Sequence, residues 1–215
     1  MYNSTLKIKF IWIYNVLIMS ILLRLLAFFG ILLLSPLIII ASICIFLEDG
    51  FPVFFNQKRI GKNEKIFTLF KIRTMQKDTP NLGTHEININ RYLKIGKILR
   101  DFKIDELPQI INFIIGDLNL VGPRPGLPNQ IKLLNYRKRY NVYDVKPGIT
   151  GLGQILGFDM SNPETLARID DLYIKNKGSF LDFKIFIATF FKTFRSSIYE
   201  DFKYEIKLIK ENTNV

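Results

Sequence analysis

The first quarter of the chain is dominated by a run of apolar residues. Residues 10–46 carry a single charged side chain, Arg24. Residues 10–23 are fewer than the roughly 20 apolar residues that a membrane-spanning helix needs, whereas residues 25–47 are long enough. A secretory signal peptide has a shorter apolar core and a cleavage site of small residues, and this run matches neither feature. The pattern predicts one membrane helix that stays in the mature protein.

A proline interrupts the longer part of this run. Pro36 follows Ser35 near the middle of the predicted membrane helix. A proline inside a helix removes one backbone hydrogen bond, here to the carbonyl of residue 32, and its ring clashes with that carbonyl. The Ser35 hydroxyl can bond to a backbone group that is freed in this way. The pair therefore predicts a kink, and an ordinary kinked transmembrane helix is one form that it can take.

The composition changes sharply after residue 50, which indicates a passage from lipid to water. Residues 51–103 contain twelve Lys or Arg and four Asp or Glu. Such an excess beside a membrane helix favours the cytoplasmic side and contact with anionic lipid headgroups. Across the whole chain the net charge is +11, which suits partners that carry phosphate, namely nucleic acid, nucleotide sugars or an anionic membrane face. The single cysteine, Cys44, excludes a disulfide within the chain.

Short apolar runs after the membrane helix predict a small sheet. Residues 52–55 and 65–72 have the length and composition of strands, and the polar residues 62–64 between them suit a turn, so we expect a β-hairpin. Residues 76–90 are polar and predict a loop. Its histidine, His85, has no second ligand at metal-binding spacing, and we assign it no role.

The remaining chain has mostly helical patterns. The segments that predict helices are residues 91–100, 107–115, 132–140 and 180–195. Residues 107–115 are almost continuously apolar and are expected to be buried on most sides. The glycines of residues 147–151 indicate a turn, and Asp170, Asp171 and Tyr173 are expected on a solvated helix face.

Two adjacent acids stand out in this basic chain. Asp105 and Glu106 lie between Arg100 and a Pro-Arg-Pro turn centred on Arg124. Neighbouring carboxylates raise each other's pKa, so a pair that stays ionised needs a metal ion or a cationic partner. A structural alternative is that both acids complement the dipole of a helix that starts near Pro108.

Four ordered blocks make the chain resemble a known family. It is similar to the bacterial sugar transferases, the monotopic polyprenyl-phosphate phosphoglycosyl transferases of the small single-domain type. The blocks are residues 51–61 (FPVFFNQKRIG), 67–75 (FTLFKIRTM), 104–125 (with IDELPQ, GD and VGPRP) and 146–154 (KPGITGLGQ). Because they occur in the family's order over most of the chain, the resemblance is far more specific than a lone Asp-Glu pair.

The resemblance implies an architecture. The expected fold is α+β and mostly helical, with an N-terminal re-entrant membrane helix, a small β-hairpin and amphipathic helices lying at the membrane interface. Ser35 and Pro36 would bend the first helix so that it dips into one leaflet and returns. Residues 180–195, aromatic with basic flanks, could form a core helix, but we favour the interface because a lipid-linked acceptor requires a site near the headgroups. The expected parts are the membrane segment 1–49, a catalytic domain 50–198 and a charged tail 199–215.

The resemblance also implies a reaction. In the family, the first acid of the pair attacks the sugar-bearing phosphorus of a UDP-sugar and releases UMP, and polyprenyl (undecaprenyl) phosphate then takes up the phosphosugar. Asp105 would be the nucleophile and Glu106 the ligand of Mg²⁺, the expected cofactor. Arg100 would orient Asp105 and keep it ionised, and Arg124 would clamp a phosphate.

Other basic residues of the matching blocks are further candidates for phosphate binding. They are Lys58, Arg59, Lys71 and Arg73; contact with lipid headgroups or with solvent is the alternative for each. The implied location is the cytoplasmic face of a bacterial inner membrane, with downstream glycosyltransferases as further candidate partners and no nucleic acid.

Two features depart from the family pattern, and two other functions remain open. The membrane helix lacks the Lys-Arg pair and the Asp with which the family commonly opens it, and Gly153 precedes Gln154 where relatives often carry Trp or Ala. A non-catalytic scaffold of a glycan-assembly complex is one alternative function. A membrane-tethered protein that binds nucleic acid or another polyanion is the other, supported only by the basic charge. Neither explains the ordered blocks.

Overall fold

A computed structural model describes residues 2–80, 82 and 87–213 of the chain. The expectation for His85 falls outside these residues. Helix α1 covers Tyr2–Asp49 without interruption and includes Pro36, so the two apolar parts that the sequence separates at Arg24 form one helix. Ser35 Oγ donates to the carbonyl of Leu32 at 2.7 Å. That carbonyl is the one that Pro36, which has no N–H, leaves without its helical partner.

The long first helix has the properties of a membrane segment. Ile18–Asp49 is apolar and long enough to cross a bilayer. Most of its large side chains are exposed, and Ala41 and Ile45, near its C-terminal end, are the ones buried against the rest of the protein. An exposed apolar surface of this length indicates that the helix associates with a membrane.

The predicted β-hairpin is present. Strands β1 (Phe54–Ile60) and β2 (Ile66–Ile72) pair in antiparallel fashion, with Phe54 opposite Ile72. The connection contains Asn63 in the left-handed region, with φ 53°. The first strand lies later in the chain than the expected 52–55, because its inward-facing residues at 57 and 59 are polar and hide the strand pattern.

Eight shorter helices and a second pair of strands complete the described part of the chain. The helices are α2 (Lys94–Asp101), α3 (Gln109–Ile115), α4 (Ile131–Arg139), α5 (Leu152–Ile155), α6 (Pro163–Asn176), α7 (Ser179–Phe190), α8 (Thr193–Asp201) and α9 (Lys203–Asn212). Strands β3 (Asn119–Val121) and β4 (Gly148–Thr150) pair in parallel, so the predicted turn at residues 147–151 is largely a strand. The close pairing requires a glycine, since a Cβ added at Gly148 would lie 2.1 Å from the Gly122 nitrogen.

Two apolar cores position the site. One joins the end of α1 to the hairpin and α2, and its members are Ala41, Ile45, Val53, Ile72, Leu93 and Leu99. The other surrounds α6 and includes Ile198, Phe202 and Ile206. The expected charged tail from residue 199 is therefore folded, because apolar side chains four residues apart lie on one face of successive helical turns and pack into this core.

Apolar side chains remain exposed on α3 and α7. Ile111 and Ile115 are 41% and 59% exposed, which corrects the expectation that α3 is buried on most sides. The helix packs against α1, β2 and β4, and these contacts leave Ile111 and Ile115 exposed. In α7, Ile185 and Ala188 are buried while the aromatic side chains face outward. The exposed aromatic residues of α7 and the following segment are Phe180, Phe183, Phe186, Phe190, Phe191 and Phe194.

Candidate active site

The two acids form a short turn of their own between α2 and α3. Ile104–Glu106 is a single 3₁₀ turn, preceded by Lys103 in the left-handed region with φ 57°. Helix α3 starts later, at Gln109, so Asp105 and Glu106 are not its first-turn acids. Asp105 is only 4% exposed. A buried carboxylate needs a compensating charge, and the structure supplies it from other elements.

Lysine and arginine side chains surround the acids. Lys71 Nζ, from β2, lies 3.5 Å from Glu106 Oε1 and 3.8 Å from Asp105 Oδ2. Arg124 Nη2 donates to Glu106 Oε1 at 2.7 Å. We call these four residues, Lys71, Asp105, Glu106 and Arg124, the charged cluster. Its members come from distant parts of the sequence, since Lys71 and Arg124 are 53 residues apart.

The surroundings shift the pKa values of the two acids in opposite directions. Burial raises the pKa of the Asp105 carboxyl above its usual range, and the nearby charge of Lys71 only partly offsets this. Burial would also raise the pKa of Glu106, but the charges of Arg124 and Lys71 outweigh it and hold that pKa well below its usual range. The charged form is therefore favoured at Glu106, and it is disfavoured at Asp105. A less stabilised carboxylate is the better nucleophile of the two.

Arg100 lies near the cluster but bonds elsewhere. Its Nε donates to Thr74 Oγ1 at 2.8 Å, its Nη1 donates to the Tyr92 hydroxyl at 2.9 Å, and its guanidinium stacks 4.6 Å from the centre of the Tyr92 ring. Its charge still lowers the pKa of Asp105. Within the described part of the chain Arg100 makes no hydrogen bond to Asp105, so its effect on that acid is electrostatic.

The four other basic candidates separate into two groups. Lys58 is exposed and its Nζ bonds to Thr68 Oγ1 at 2.9 Å. Lys71 belongs to the charged cluster. Arg59 Nη1 donates to the carbonyl of Pro125 at 2.9 Å, and Arg73 Nη1 pairs with Asp49 Oδ2 at 2.6 Å. The structure thus brings Arg59, Lys71 and Arg73 to the same side of the hairpin and leaves Lys58 outside.

A cavity of about 460 Å³ opens beside the charged cluster. The cations on its wall are Arg59, Lys71, Arg73, Arg100 and Arg124. The opposite part of the wall comes from residues 151–160 and includes Gln154 and Phe158. Three residues of this wall have a buried polar atom without a hydrogen-bond partner within the described part of the chain, namely Arg59 Nε, Arg73 Nε and Gln154 Oε1. The cations of this wall suit a ligand that carries phosphate.

Gly153 also lines this cavity. A Cβ added at this residue would lie 2.8 Å from Leu166 Cδ1, the flexible end of a neighbouring side chain. The departure from the family pattern at Gly153 therefore lies on the wall of the cavity, where it affects the space for a ligand.

Arg137 and Asp170, to which the sequence analysis gave no role at the site, hold the backbone of Arg124 in place. Arg137 is 1% exposed, and its Nη1 donates to the backbone carbonyl of Arg124 at 2.8 Å. Its Nη2 and Nε both donate to Asp170 Oδ2, at 2.7 and 2.9 Å. Asp170 and Tyr173 are both buried, which corrects their assignment to a solvated face. The ion pair was missed because a basic helix over residues 132–140 has the pattern of a surface helix, and nothing local shows that one arginine turns inward.

The donor set at the cluster suits a magnesium ion that is completed by substrate. Mg²⁺ is commonly bound in proteins by one or two carboxylates, with phosphate oxygens and water filling its octahedron. No cluster of three or more acidic, histidine or cysteine ligands occurs among residues 2–80, 82 and 87–213. Glu106 is ionised, and its Oε1 is the oxygen that Arg124 and Lys71 contact. A site of this kind can hold Mg²⁺ only together with a phosphate-bearing ligand.

Comparison with known proteins identifies the family. The sequence model of the family described as bacterial sugar transferase matches residues 14–196. The chain therefore belongs to the bacterial sugar transferases, which confirms the resemblance of its four motif blocks. It is 41% identical over 155 residues to an uncharacterized sugar transferase, EpsL, of Bacillus subtilis, covering 72% of this chain and 76% of that protein.

Two other relatives have names that state a reaction. The UDP-N-acetylgalactosamine-undecaprenyl-phosphate N-acetylgalactosaminephosphotransferase of Aeromonas hydrophila is 35% identical over 171 residues, or 76% of this chain and 40% of that protein. The UDP-glucose:undecaprenyl-phosphate glucose-1-phosphate transferase of Caulobacter vibrioides is 34% identical over 171 residues, or 73% of this chain and 62% of that protein. The chain thus spans about half of the length of these two relatives.

Proposed function

We propose that this protein transfers a sugar 1-phosphate from a UDP-sugar to undecaprenyl phosphate. The observation that carries the proposal is the charged cluster, in which the buried Asp105 lies against Lys71, and Lys71 and Arg124 of this cluster line the cation-rich cavity. Phosphoryl transfer needs neutralised charge and an aligned nucleophile more than any other contribution from the protein. The names of the Aeromonas and Caulobacter relatives supply the donor and acceptor classes.

The first chemical step uses Asp105 as a nucleophile. An Asp105 carboxylate oxygen attacks the phosphorus that bears the sugar, an oxygen–phosphorus bond forms, and the bond to the UMP oxygen breaks. UMP leaves with the bonding electron pair, and the sugar phosphate is held as an acyl phosphate. A phosphate oxygen of undecaprenyl phosphate then attacks the same phosphorus and releases the Asp105 carboxylate. No proton or electron is consumed overall.

The neighbouring residues bind and orient the phosphates. Lys71 compensates the negative charge at Asp105, and Arg124 contacts Glu106. The Arg124 side chain is 31% exposed and lines the cavity, so it can also bind a phosphate oxygen. Glu106 would hold Mg²⁺, which supplies charge neutralisation on the diphosphate when it is bound. Arg59, Arg73 and Arg100 add positive potential along the wall of the cavity.

The class of donor follows from the relatives and the cavity. The two relatives with a stated reaction use UDP-glucose and UDP-N-acetylgalactosamine. The cavity wall includes Gly153, Gln154 and Phe158, and a glycine, an amide and an aromatic ring are residue types that suit a sugar with hydroxyl or N-acetyl groups. The proposed donors are therefore UDP-hexoses and UDP-N-acetylhexosamines.

The proposed location is the cytoplasmic face of a bacterial inner membrane. In the re-entrant form that the family resemblance implies, α1 would enter the membrane and turn back at Ser35 and Pro36, whereas in the structure Tyr2–Asp49 is one continuous helix. At about 1.5 Å per residue, the 32 residues of Ile18–Asp49 measure about 48 Å when straight, more than the hydrocarbon thickness of about 30 Å. The exposed aromatic residues of α7 would lie at the headgroups, near the lipid-linked acceptor.

The experiment is a donor panel with the protein held in nanodiscs. UDP-sugars are incubated with Mg²⁺ and undecaprenyl phosphate, and UMP release is measured for the wild type, for Asp105→Asn and for Asp101→Asn. Asp101 is an exposed acid four residues earlier and serves as the matched control. We expect one donor to release UMP, Asp105→Asn to be inactive and Asp101→Asn to be unchanged.

A trapping experiment tests the covalent step separately. Donor without acceptor should add the mass of one sugar phosphate to the wild type and none to Asp105→Asn, as read by intact-protein mass spectrometry. UMP release without such an adduct would favour direct transfer in one step. Absence of UMP release with every donor would instead favour a non-catalytic scaffold.

A further inference from the structure

The Pro-Arg-Pro turn that carries Arg124 is held by three external hydrogen bonds. The carbonyl of Pro123 accepts from Gly148 N at 3.0 Å, and the carbonyl of Pro125 accepts from Arg59 Nη1 at 2.9 Å. Between them, the carbonyl of Arg124 accepts from Arg137 Nη1 at 2.8 Å. Every carbonyl of residues 123–125 therefore has a partner on another element.

These bonds anchor a segment that has few backbone donors of its own. A proline has no N–H, so Pro123 and Pro125 donate no backbone hydrogen bond that could anchor the segment. The prolines restrict φ, but the carbonyl partners decide how the peptide planes of the turn are rotated. The rotation of the peptide plane at Arg124 sets the direction of its side chain toward Glu106.

Arg137 is placed to fix that peptide plane. Its guanidinium bonds in two directions, with Nη1 to the Arg124 carbonyl and with Nε and Nη2 to one oxygen of Asp170. Both members of the ion pair are buried, with 1% of Arg137 and 3% of Asp170 exposed. A planar guanidinium held by a carboxylate on one edge has no freedom to swing, so its other edge is a fixed donor.

Stability alone does not account for this pair. Removing two charges from water costs about as much as their attraction returns, and apolar residues of similar size are often equally stable in their place. Here the pair also makes a hydrogen bond to the backbone of a residue of the charged cluster. Neither Arg137 nor Asp170 contacts Asp105 or Glu106 through an ion pair or a hydrogen bond within the described part of the chain.

We propose that Arg137 and Asp170 are positioning residues that act through Arg124. Asp170 holds Arg137, Arg137 holds the Arg124 carbonyl, and the Arg124 guanidinium is thereby kept on Glu106 and at the edge of the cavity. The inference rests on the proposed function, in which Arg124 binds phosphate. It predicts that loss of the pair harms catalysis only while the Arg124 side chain is present.

A double-mutant cycle tests this prediction. Asp170→Asn, and the apolar double variant Arg137→Met with Asp170→Leu, are made with Arg124 intact and again with Arg124→Ala. Single-turnover rates of UMP release with excess enzyme, at saturating and subsaturating UDP-sugar, keep weak activities measurable. Asp171→Asn is the matched control, because this neighbouring acid pairs with the exposed Lys175. Thermal unfolding of each variant reports stability.

With Arg124 intact, we expect either change to lower the single-turnover rate about 10- to 100-fold, mainly in the saturated rate, as for a misplaced catalytic group. In the Arg124→Ala background the same change should lower it less than about twofold, since coupled residues are not additive. The apolar double variant should unfold near the wild-type temperature, so that the loss is not one of folding. Asp171→Asn should match the wild type.

If the change lowered the single-turnover rate by the same factor with Arg124 intact and with Arg124→Ala, the proposal would be overturned. The Arg137–Asp170 pair would then have a purely structural role. An unchanged rate in the folded apolar double variant would overturn it as well. These results differ from a failure of the proposed function, which would appear as an Arg124→Ala variant with wild-type activity or as a wild type that releases no UMP.

Discussion

Arg124 donates a hydrogen bond of 2.7 Å to Glu106 Oε1, and this contact helps to give the adjacent acids Asp105 and Glu106 different pKa values. Glu106 gains the direct ionic partner, and its pKa falls below the usual range, whereas burial raises the pKa of Asp105. Adjacent carboxylates with oppositely shifted pKa values can perform different tasks at one pH. This difference supports the proposal that Asp105 is the nucleophile and Glu106 the metal ligand.

Asp105→Asn should stabilise the protein while it abolishes UMP release. Between the ordinary pKa of an aspartate and the raised pKa of Asp105, the folded protein holds a proton that the unfolded chain has lost. The free energy of unfolding of the wild type therefore falls as pH rises through this window. The neutral amide of the variant carries no such penalty. Thermal unfolding in EDTA should show that the advantage of the variant is larger at pH 8 than at pH 4.

Asp101→Asn is the control, since this acid is exposed. Its unfolding temperature should stay near that of the wild type at both pH values. A variant Asp105→Asn that is less stable than the wild type at pH 8 would show that the charged carboxylate is fully compensated by Lys71.

Lys71→Met should reduce activity strongly and move its pH dependence. Removing the cation 3.8 Å from Asp105 Oδ2 takes away the charge that opposes the burial effect, so the pKa of Asp105 rises further. The acid limb of the pH–rate profile should shift to higher pH, and kcat should fall about 100-fold, as for the loss of one electrostatic contact to the reacting groups. The measurement is UMP release as a function of pH.

Lys58→Met gives a matched comparison for this effect. Lys58 belongs to the same hairpin, but it is exposed and bonds to Thr68. We expect its kcat to stay within about twofold of the wild type, because loss of an exposed charge has a small effect. Equal losses in both variants would attribute the effect to the net charge of the hairpin and not to the contact with Asp105.

Gly148→Ala should destabilise the protein. The added Cβ would lie 2.1 Å from the Gly122 nitrogen and 2.5 Å from the Thr150 carbonyl oxygen, so the β3–β4 pair must separate. Overpacking of this kind costs about 1–3 kcal/mol of unfolding free energy, measured by denaturant titration. Gly178→Ala is the control, because no atom lies within 4 Å of a Cβ added there. Similar stabilities for the two variants would mean that the strand pair shifts at little cost.

Pro36→Ala should change the topology of α1. Alanine restores an N–H that can bond to the Leu32 carbonyl, which Ser35 Oγ now occupies, and this favours a straight helix. A reporter fused at the N-terminus should be cytoplasmic in the wild type and extracytoplasmic in a fraction of the variant molecules, as read by labelling of the intact cell. An extracytoplasmic reporter already in the wild type would show that α1 spans the membrane.

Gly153→Ala should alter how the donor fits. The new methyl group, 2.8 Å from Leu166 Cδ1, requires Leu166 to move within the cavity wall. We expect KM for the donor to change by about 2- to 10-fold, with a smaller change of kcat, since a methyl group in a pocket discriminates by about 1 kcal/mol. Comparing UDP-hexose with UDP-N-acetylhexosamine measures the effect. An equal change for all donors would place Gly153 away from the sugar.

Local patterns were sufficient for much of this protein. The apolar run up to Leu47, the proline at residue 36 and the short apolar run of β2 predict a membrane helix and a hairpin, because these features depend on neighbouring residues only. The motif blocks were sufficient to identify the family and to select Asp105 and Glu106 as the candidate acids. Arg59, Lys71, Arg73, Arg100 and Arg124 were all named from the sequence, and all five line one cavity.

Tertiary structure decided which of these charges meet. Arg124 finds Glu106 18 residues away, and Arg137 finds Asp170 33 residues away, distances over which no helical or strand periodicity relates two side chains. The fold of residues 199–213 was not predicted for the same reason. Ile206 is buried because α9 packs against α6, which is distant in sequence. Burial is a property of the assembled chain, and it is burial that raises the pKa of Asp105 and turns Arg137 from a surface charge into a fixed donor.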